Sequence, residues 1–152
     1  MDFVIMSSSL NKQDICGRLP HAGAMCLLGS IVSFDESSIR CVSNSHLNQD
    51  NPLRRTEGLS SINGIEYAAQ AMALHSSLIQ DLAADQTGYM STLRNIKINQ
   101  QWLDCHPTEL IIDAHLLGSS FSGIIYDFIL STDQSEIISG RATIMTNIGK
   151  VY

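Results

Sequence analysis

The sequence is poor in charge. Only 16% of its residues are charged, and nine Lys and Arg stand against 15 Asp and Glu, a net charge of −6. Its one basic dipeptide is Arg54-Arg55, too little to track a phosphate backbone or an anionic lipid surface, so neither nucleic acid nor membrane is expected as a partner. No apolar run approaches the ~20 residues that span a bilayer. "MDFVIMSSSL" also lacks the basic start of a secretory signal. The four cysteines, Cys16, Cys26, Cys41 and Cys105, form no CxxC pair, and no metal site is expected from them. A chain of 152 residues buries enough surface to need no disulfide staples. All four are therefore read as reduced, mostly buried thiols in a cytoplasmic protein.

What is present fits one domain over residues 1–152, with residues 1 to about 12 as a loose arm. Loop signals at Gly17, Pro20 and Gly23 give way to an apolar run from Met25 to Phe34. "SSIRCVSNSH" then alternates, and Asp35-Glu36-Ser37 between the two runs is turn chemistry, which predicts a hairpin. "LNQDNPLRRTEGLS" has no period and reads as a long loop of the kind that often carries function. An alanine-rich helix is predicted over roughly 61–82, apolar nearly all round and hence buried. Its alanines at 68, 69, 71 and 73 would let a sheet approach closely. "YMSTLRNIKINQQWL", "ELIIDAHLLGSS", "GIIYDFILST" and "EIISGRATIMTN" read as four more strands. Two strands, one long helix and four strands make an α+β antiparallel sheet curled around a single helix.

Within that helix, "SSINGIEYAAQAMALHSSL" places Glu66 in the first turns and Gln70 one turn later, on the same side. Glu66 admits two readings. It is a first-turn acid favoured by the helix dipole, worth a few tenths to ~1 kcal/mol. Alternatively, it is a partly buried carboxyl able to give or take a proton. His75, nine positions on, lies on the far side and packs against the sheet. Free N–H groups at Ser61, Ile62, Asn63 and Gly64, where the helix begins, would suit a substrate carbonyl oxygen.

"LPHAGAMCLL" (19–28) followed by "GIEYAAQAMALH" (64–75), with "GYMSTLRNIKI" (88–98) behind them, resembles the hotdog-fold 3-hydroxyacyl-acyl-carrier-protein dehydratases. The branch most similar is the one that accompanies aryl polyene-type lipid biosynthesis. The resemblance implies a long central helix wrapped by a curved antiparallel sheet. It also implies a homodimer or heterodimer with a related hotdog dehydratase, the sheets joined edge to edge. Its substrates are acyl chains held by thioester on the phosphopantetheine arm of an acyl carrier protein, and it uses no cofactor or metal. Carried onto this chain, Glu66 takes the catalytic carboxyl position, Gln70 the accompanying glutamine and residues 61–64 the oxyanion donors. The loop histidine of the family would fall fourteen positions before Glu66, where this sequence has Pro52. His46, which opens the same loop, and His21 of "LPH" are the candidates to replace it. Arg54 and Arg55 are the candidates to meet an acidic carrier protein or its phosphate arm.

Three functions follow from these residues. The chain is a dehydratase using Glu66, or an assisting subunit that pairs with a catalytic dehydratase, or an acyl thioesterase in which one carboxylate directs water.

Overall fold

The computed structural model describes residues 10–19, 23–80, 89–120 and 123–145. Its elements run α1 (Lys12–Gly17), β1 (Ser30–Phe34), β2 (Ser38–Ser43), α2 (Gly64–Gln80), β3 (Tyr89–Ile98), β4 (Leu110–Ser120), β5 (Gly123–Ser131) and β6 (Glu136–Met145). Short 3-10 turns occupy Gly23–Met25, Ser45–Leu47 and Ser61–Asn63. The hairpin, the long helix and the four later strands stand where the sequence pattern places them. The six strands form one antiparallel sheet in the order β1-β2-β4-β5-β6-β3. The ten-residue strand β3 lies at one edge and the five-residue strand β1 at the other.

Alternation sorts the strands into two faces. Ile39, Cys41, Ile112, Ala114, Tyr126, Phe128 and Ala142 are buried toward α2, which packs against β2, β4 and β5. From the helix side Tyr67, Ala68, Ala71, Met72 and Leu74 are fully buried, each large one worth roughly 1.5–3 kcal/mol. Register shifts in β1, β3 and β4 bend the sheet around the helix. The tightest approach is made by a glycine as well as by alanines. A Cβ on Gly64 would lie 2.8 Å from Ile138 Cγ2 and 3.0 Å from Leu130 Cδ2, so the start of α2 sits directly on β5 and β6.

Two expectations are corrected. Cys16 and Cys26 form a disulfide rather than standing as free thiols. Helix α1, capped at Asn11 by a capping box, buries Ile15 in the core, and the turn Gly23–Met25 folds back beside it. The two sulfurs are brought together by packing that no cysteine motif announces. Of the remaining pair, Cys41 is buried and its thiol is raised to about 12 by that burial, while Cys105 is exposed. The second correction is at the helix start. Residues 61–63 form a 3-10 turn capped by the Ser60 side chain, and the α-helix proper begins at Gly64. Among the described residues, no helix is long and apolar enough to cross a membrane, and no cluster of His, Cys, Asp and Glu has the makings of a metal site.

Candidate functional site

Glu66 is half-buried in the first turn of α2. Gln70 stands one turn on, almost wholly buried, and its amide ties together two stretches that are distant in sequence. Gln70 Oε1 accepts from Leu27 N at 2.8 Å, and its Nε2 donates to Met25 O at 2.7 Å and to Glu66 Oε1 at 3.3 Å. The "AMCLL" stretch and the glutamate turn of α2 therefore meet at one point, with a glutamine side chain as the bridge. Ser43 and Ser45 hydroxyls donate to Leu27 O from the other side. The segment that covers this side of α2 is thus held at both its N–H and its C=O groups. His21, four residues before Met25, lies outside the described residues.

The long loop is pinned as well. Asn51, buried, donates to Ser45 O and to Tyr67 Oη, and the Tyr67 hydroxyl also meets Ser45 Oγ at 2.8 Å. Burial holds the Tyr67 phenol above its ordinary pKa, against the opposing hydrogen bonds of Ser45 and Asn51. Pro52, fourteen positions before Glu66, is exposed. Its neighbour Asn51 is occupied in holding the loop to the helix, so neither residue supplies a base.

His46 lies in the turn Ser45–Leu47, wholly buried, with Nε2 donating to His106 O at 2.9 Å. Among the described residues its buried Nδ1 has no hydrogen bond of ordinary geometry. Burial pushes the imidazole pKa down. The described contacts of His46 therefore turn its ring toward the 103–108 segment, whereas Glu66 is contacted by Gln70. His75 is on the opposite side of α2, as its spacing predicts. Its Nδ1 pairs with Tyr126 Oη at 2.7 Å and its Nε2 donates to Asp35 O at 2.8 Å, again with its pKa lowered by burial.

The expected free N–H groups at residues 61–64 are engaged in the resting chain. Ser61 N donates to Gln101 O and Asn63 N to Ser60 O, while Gly64 N closes the turn onto the Ser61 and Ile62 carbonyls. Ile62 N meets Ser60 Oγ at 3.4 Å. The 3-10 turn is the reason: its i→i+3 bonds and its serine cap take the donors that a bare α-helical start would leave open. What this turn does present outward is apolar, since the Ile62 side chain is exposed.

The two arginines have separate fates. Arg54 is tied down: its guanidinium pairs with Asp104 at 2.9 Å and also donates to His46 O and Asn48 O. Opposite it, Gly58 has φ +128°, and a Cβ there would lie 2.9 Å from Asp104 Oδ2. Only glycine fits where the loop closes on that carboxylate. Arg55 is exposed, and its backbone bridges to Gly58. Sequence reasoning missed the Tyr67–Asn51–Ser45 network and the bridging role of Gln70. The signal for the second was Gln70 itself, a polar side chain on an otherwise apolar helix face.

Comparison with known proteins bears on the family and the fold. The sequence model of one family, ApeP-like, described as ApeP dehydratase, matches residues 13–149. No curated protein matches the chain by sequence. Among solved structures, the dehydratase heterocomplex ApeI:P from Xenorhabdus doucetiae is similar at a TM-score of 0.75, with 19% identity over 89% of this chain and 91% of that one. A hypothetical thioesterase from Streptococcus pneumoniae, solved with coenzyme A, is similar at 0.55, with 13% identity over 78% and 84%. The PaaI protein of E. coli is similar at 0.52, with 17% identity over 75% and 81%. These likenesses establish the hotdog fold. With the family match running from α1 past the end of β6, the chain is a member of the ApeP-like dehydratase family.

Proposed function

We propose that the chain is the carboxyl-bearing subunit of a 3-hydroxyacyl-[acyl-carrier-protein] dehydratase and works joined to a related hotdog subunit. One observation carries this reading: Gln70 brings Met25 and Leu27 of "AMCLL" together with Glu66, so parts of the two stretches that carry the family resemblance meet at one point. The elimination removes a proton from C2 of the acyl chain and forms the C2–C3 double bond. The C3 hydroxyl leaves as water, with Glu66 giving it a proton. The base that takes the C2 proton is a histidine of the joined subunit or His21 of this chain. The loop position of this chain is filled by Pro52, and His46 has its Nε2 on a backbone carbonyl. The acyl chain arrives as a thioester on a carrier protein, with no cofactor of the chain's own. Arg55, rather than Arg54, is the arginine left exposed to meet an acidic carrier.

The two-subunit reading is supported by the sheet edge. Among the described residues strand β3 has no neighbour on one side and exposes Tyr89, Leu93 and Ile98, a long edge with apolar side chains of the kind that proteins otherwise shorten or cover. The test is turnover of 3-hydroxyacyl-carrier protein by the purified chain, alone and mixed with a histidine-bearing hotdog dehydratase. Activity in the mixture that disappears with Glu66→Gln supports the proposal. Free acid released without an enoyl product makes the chain a thioesterase instead. Full activity of the mixture with Glu66→Gln removes Glu66 from the chemistry.

A further inference from the structure

The β3 edge carries a charge pattern that its partner must match. Arg94 is the register partner of Arg141 on β6, and Lys97 that of Ser139. Positions 141 and 139 lie two apart on β6 and so face the same side of the sheet. Arg94 and Lys97 are three apart, a spacing that in a regular strand puts two side chains on opposite faces. The bulge between them removes that difference. Asn95 adopts φ 56°, and Ile96 turns inward until a Cβ on Gly140 would lie 2.4 Å from its Cδ1. The extra residue leaves both cations on the outer face, beside the unpaired edge.

Among the described residues neither cation has a hydrogen-bond or ion-pair partner. The nearby Arg141 is bound to Asp127, and the Glu136 carboxylate accepts from Asn99. The strand itself, "YMSTLRNIKI", contains no acid. A chain of net charge −6 therefore carries two cations and no acid among the apolar and polar side chains of the strand that, among the described residues, ends its sheet.

We propose that Arg94 and Lys97 make β3 a charge-selective seam. They disfavour pairing with a second copy of this chain and favour a hotdog subunit whose matching strand carries carboxylates. The inference rests on the two-subunit reading above and names the chemistry of the second subunit. Its geometry is simple. In an antiparallel self-pairing of β3 with its two-fold at Arg94, beside the middle of the strand, the two Arg94 residues stand opposite each other about one strand spacing apart, ~5 Å. Each Lys97 then lies roughly 10 Å from the opposing Arg94, about one Debye length at ordinary salt. Like charges so placed oppose association, and opposite charges favour it.

The test uses the chain and a charge-reversed copy of it, Arg94→Glu/Lys97→Glu, as a probe with an acidic edge. Each is measured alone and in equimolar mixture by sedimentation velocity. At low salt the mixture should associate at least ~10-fold more tightly than either chain alone, and the difference should shrink by several-fold at roughly 0.5 M salt. If the reversed chain does not fold, the neutral variant Arg94→Gln/Lys97→Gln should self-associate more tightly than the native chain. Native chain that pairs with itself as tightly as the mixture does, independent of salt, overturns the charge selection. If a histidine-bearing subunit still restores turnover in that case, the two-subunit function stands and only the seam fails. If charge-selective pairing is found but no mixture turns over substrate, the seam stands and the dehydratase reading fails.

Discussion

Replacing Gln70 with methionine tests the bridge on which the site is built. The side chain is nearly the same length and stays apolar in a position that is only 2% exposed, so packing is largely kept while the amide is lost. Three partners are then affected. The Leu27 N–H, on a fully buried residue, loses its acceptor, the Met25 carbonyl loses a donor, and Glu66 Oε1 loses the amide that holds it. A buried polar group left without a partner costs roughly 1–3 kcal/mol, which makes the expected loss about 2–5 kcal/mol for the two backbone groups. For a domain of this size about 1 kcal/mol moves the melting temperature by roughly 2–4 °C, so the variant should melt about 5–15 °C below the native chain. Amide exchange at Leu27 should accelerate, and turnover in the mixed assay should fall because Glu66 is no longer oriented. Gln70→Glu provides the contrast. It keeps an acceptor for Leu27 N–H but turns a carboxylate toward the Met25 carbonyl and Glu66, so its deficit should be larger at neutral pH than in mild acid. Melting of Gln70→Met within ~2 °C of native, with unchanged exchange at Leu27, would refute the argument that this amide holds the site together.

Two further outcomes follow from the geometry. His46 and His75 both have folded pKa values pushed below 6.5 by burial, so below that pH the unfolded chain binds protons that the folded chain does not. Their contribution to stability is complete above about pH 6.5 and is lost as pH falls through the lower folded values. Melting temperature should therefore drop between pH 7 and pH 5, and more shallowly in His75→Gln. A flat profile would show that the two rings are not held neutral. Arg54→Ala should destabilise the chain by roughly 1–3 kcal/mol in chemical denaturation, because it strands Asp104 and two loop carbonyls. Arg55→Ala should stay within ~0.5 kcal/mol of native, and equal effects of the two would contradict their separate roles.

The helix, the hairpin and the later strands were legible because each rests on local periodicity. "GIEYAAQAMALH" repeats its apolar residues at helical spacing, and "GIIYDFILS" alternates. Glu66 and Gln70 could be placed on one side of α2 by the same counting. The roles of individual polar residues were less legible. Arg54 and Arg55 are identical neighbours in sequence, yet one is locked to Asp104 and the other exposed. The difference is made by the 101–104 segment, which reaches the loop only in the folded chain. The N–H groups of residues 61–64 were expected to be open because an α-helical start leaves them so. Ser60 and the Gln101 carbonyl close them.

By itself, then, the sequence determined the fold class, the family and the position of the carboxyl. Hydrophobic periodicity and a glutamate-glutamine spacing are properties of a short stretch of chain. Tertiary structure alone decided that Cys16 and Cys26 are joined, that Gln70 bridges two distant segments, and that His46 faces a carbonyl. It also decided that Arg94 and Lys97 share one face of the sheet, through a bulge at which Ile96 packs onto Gly140. Each of these depends on which groups a folded neighbour brings within hydrogen-bonding or van der Waals reach, and no local pattern encodes that distance.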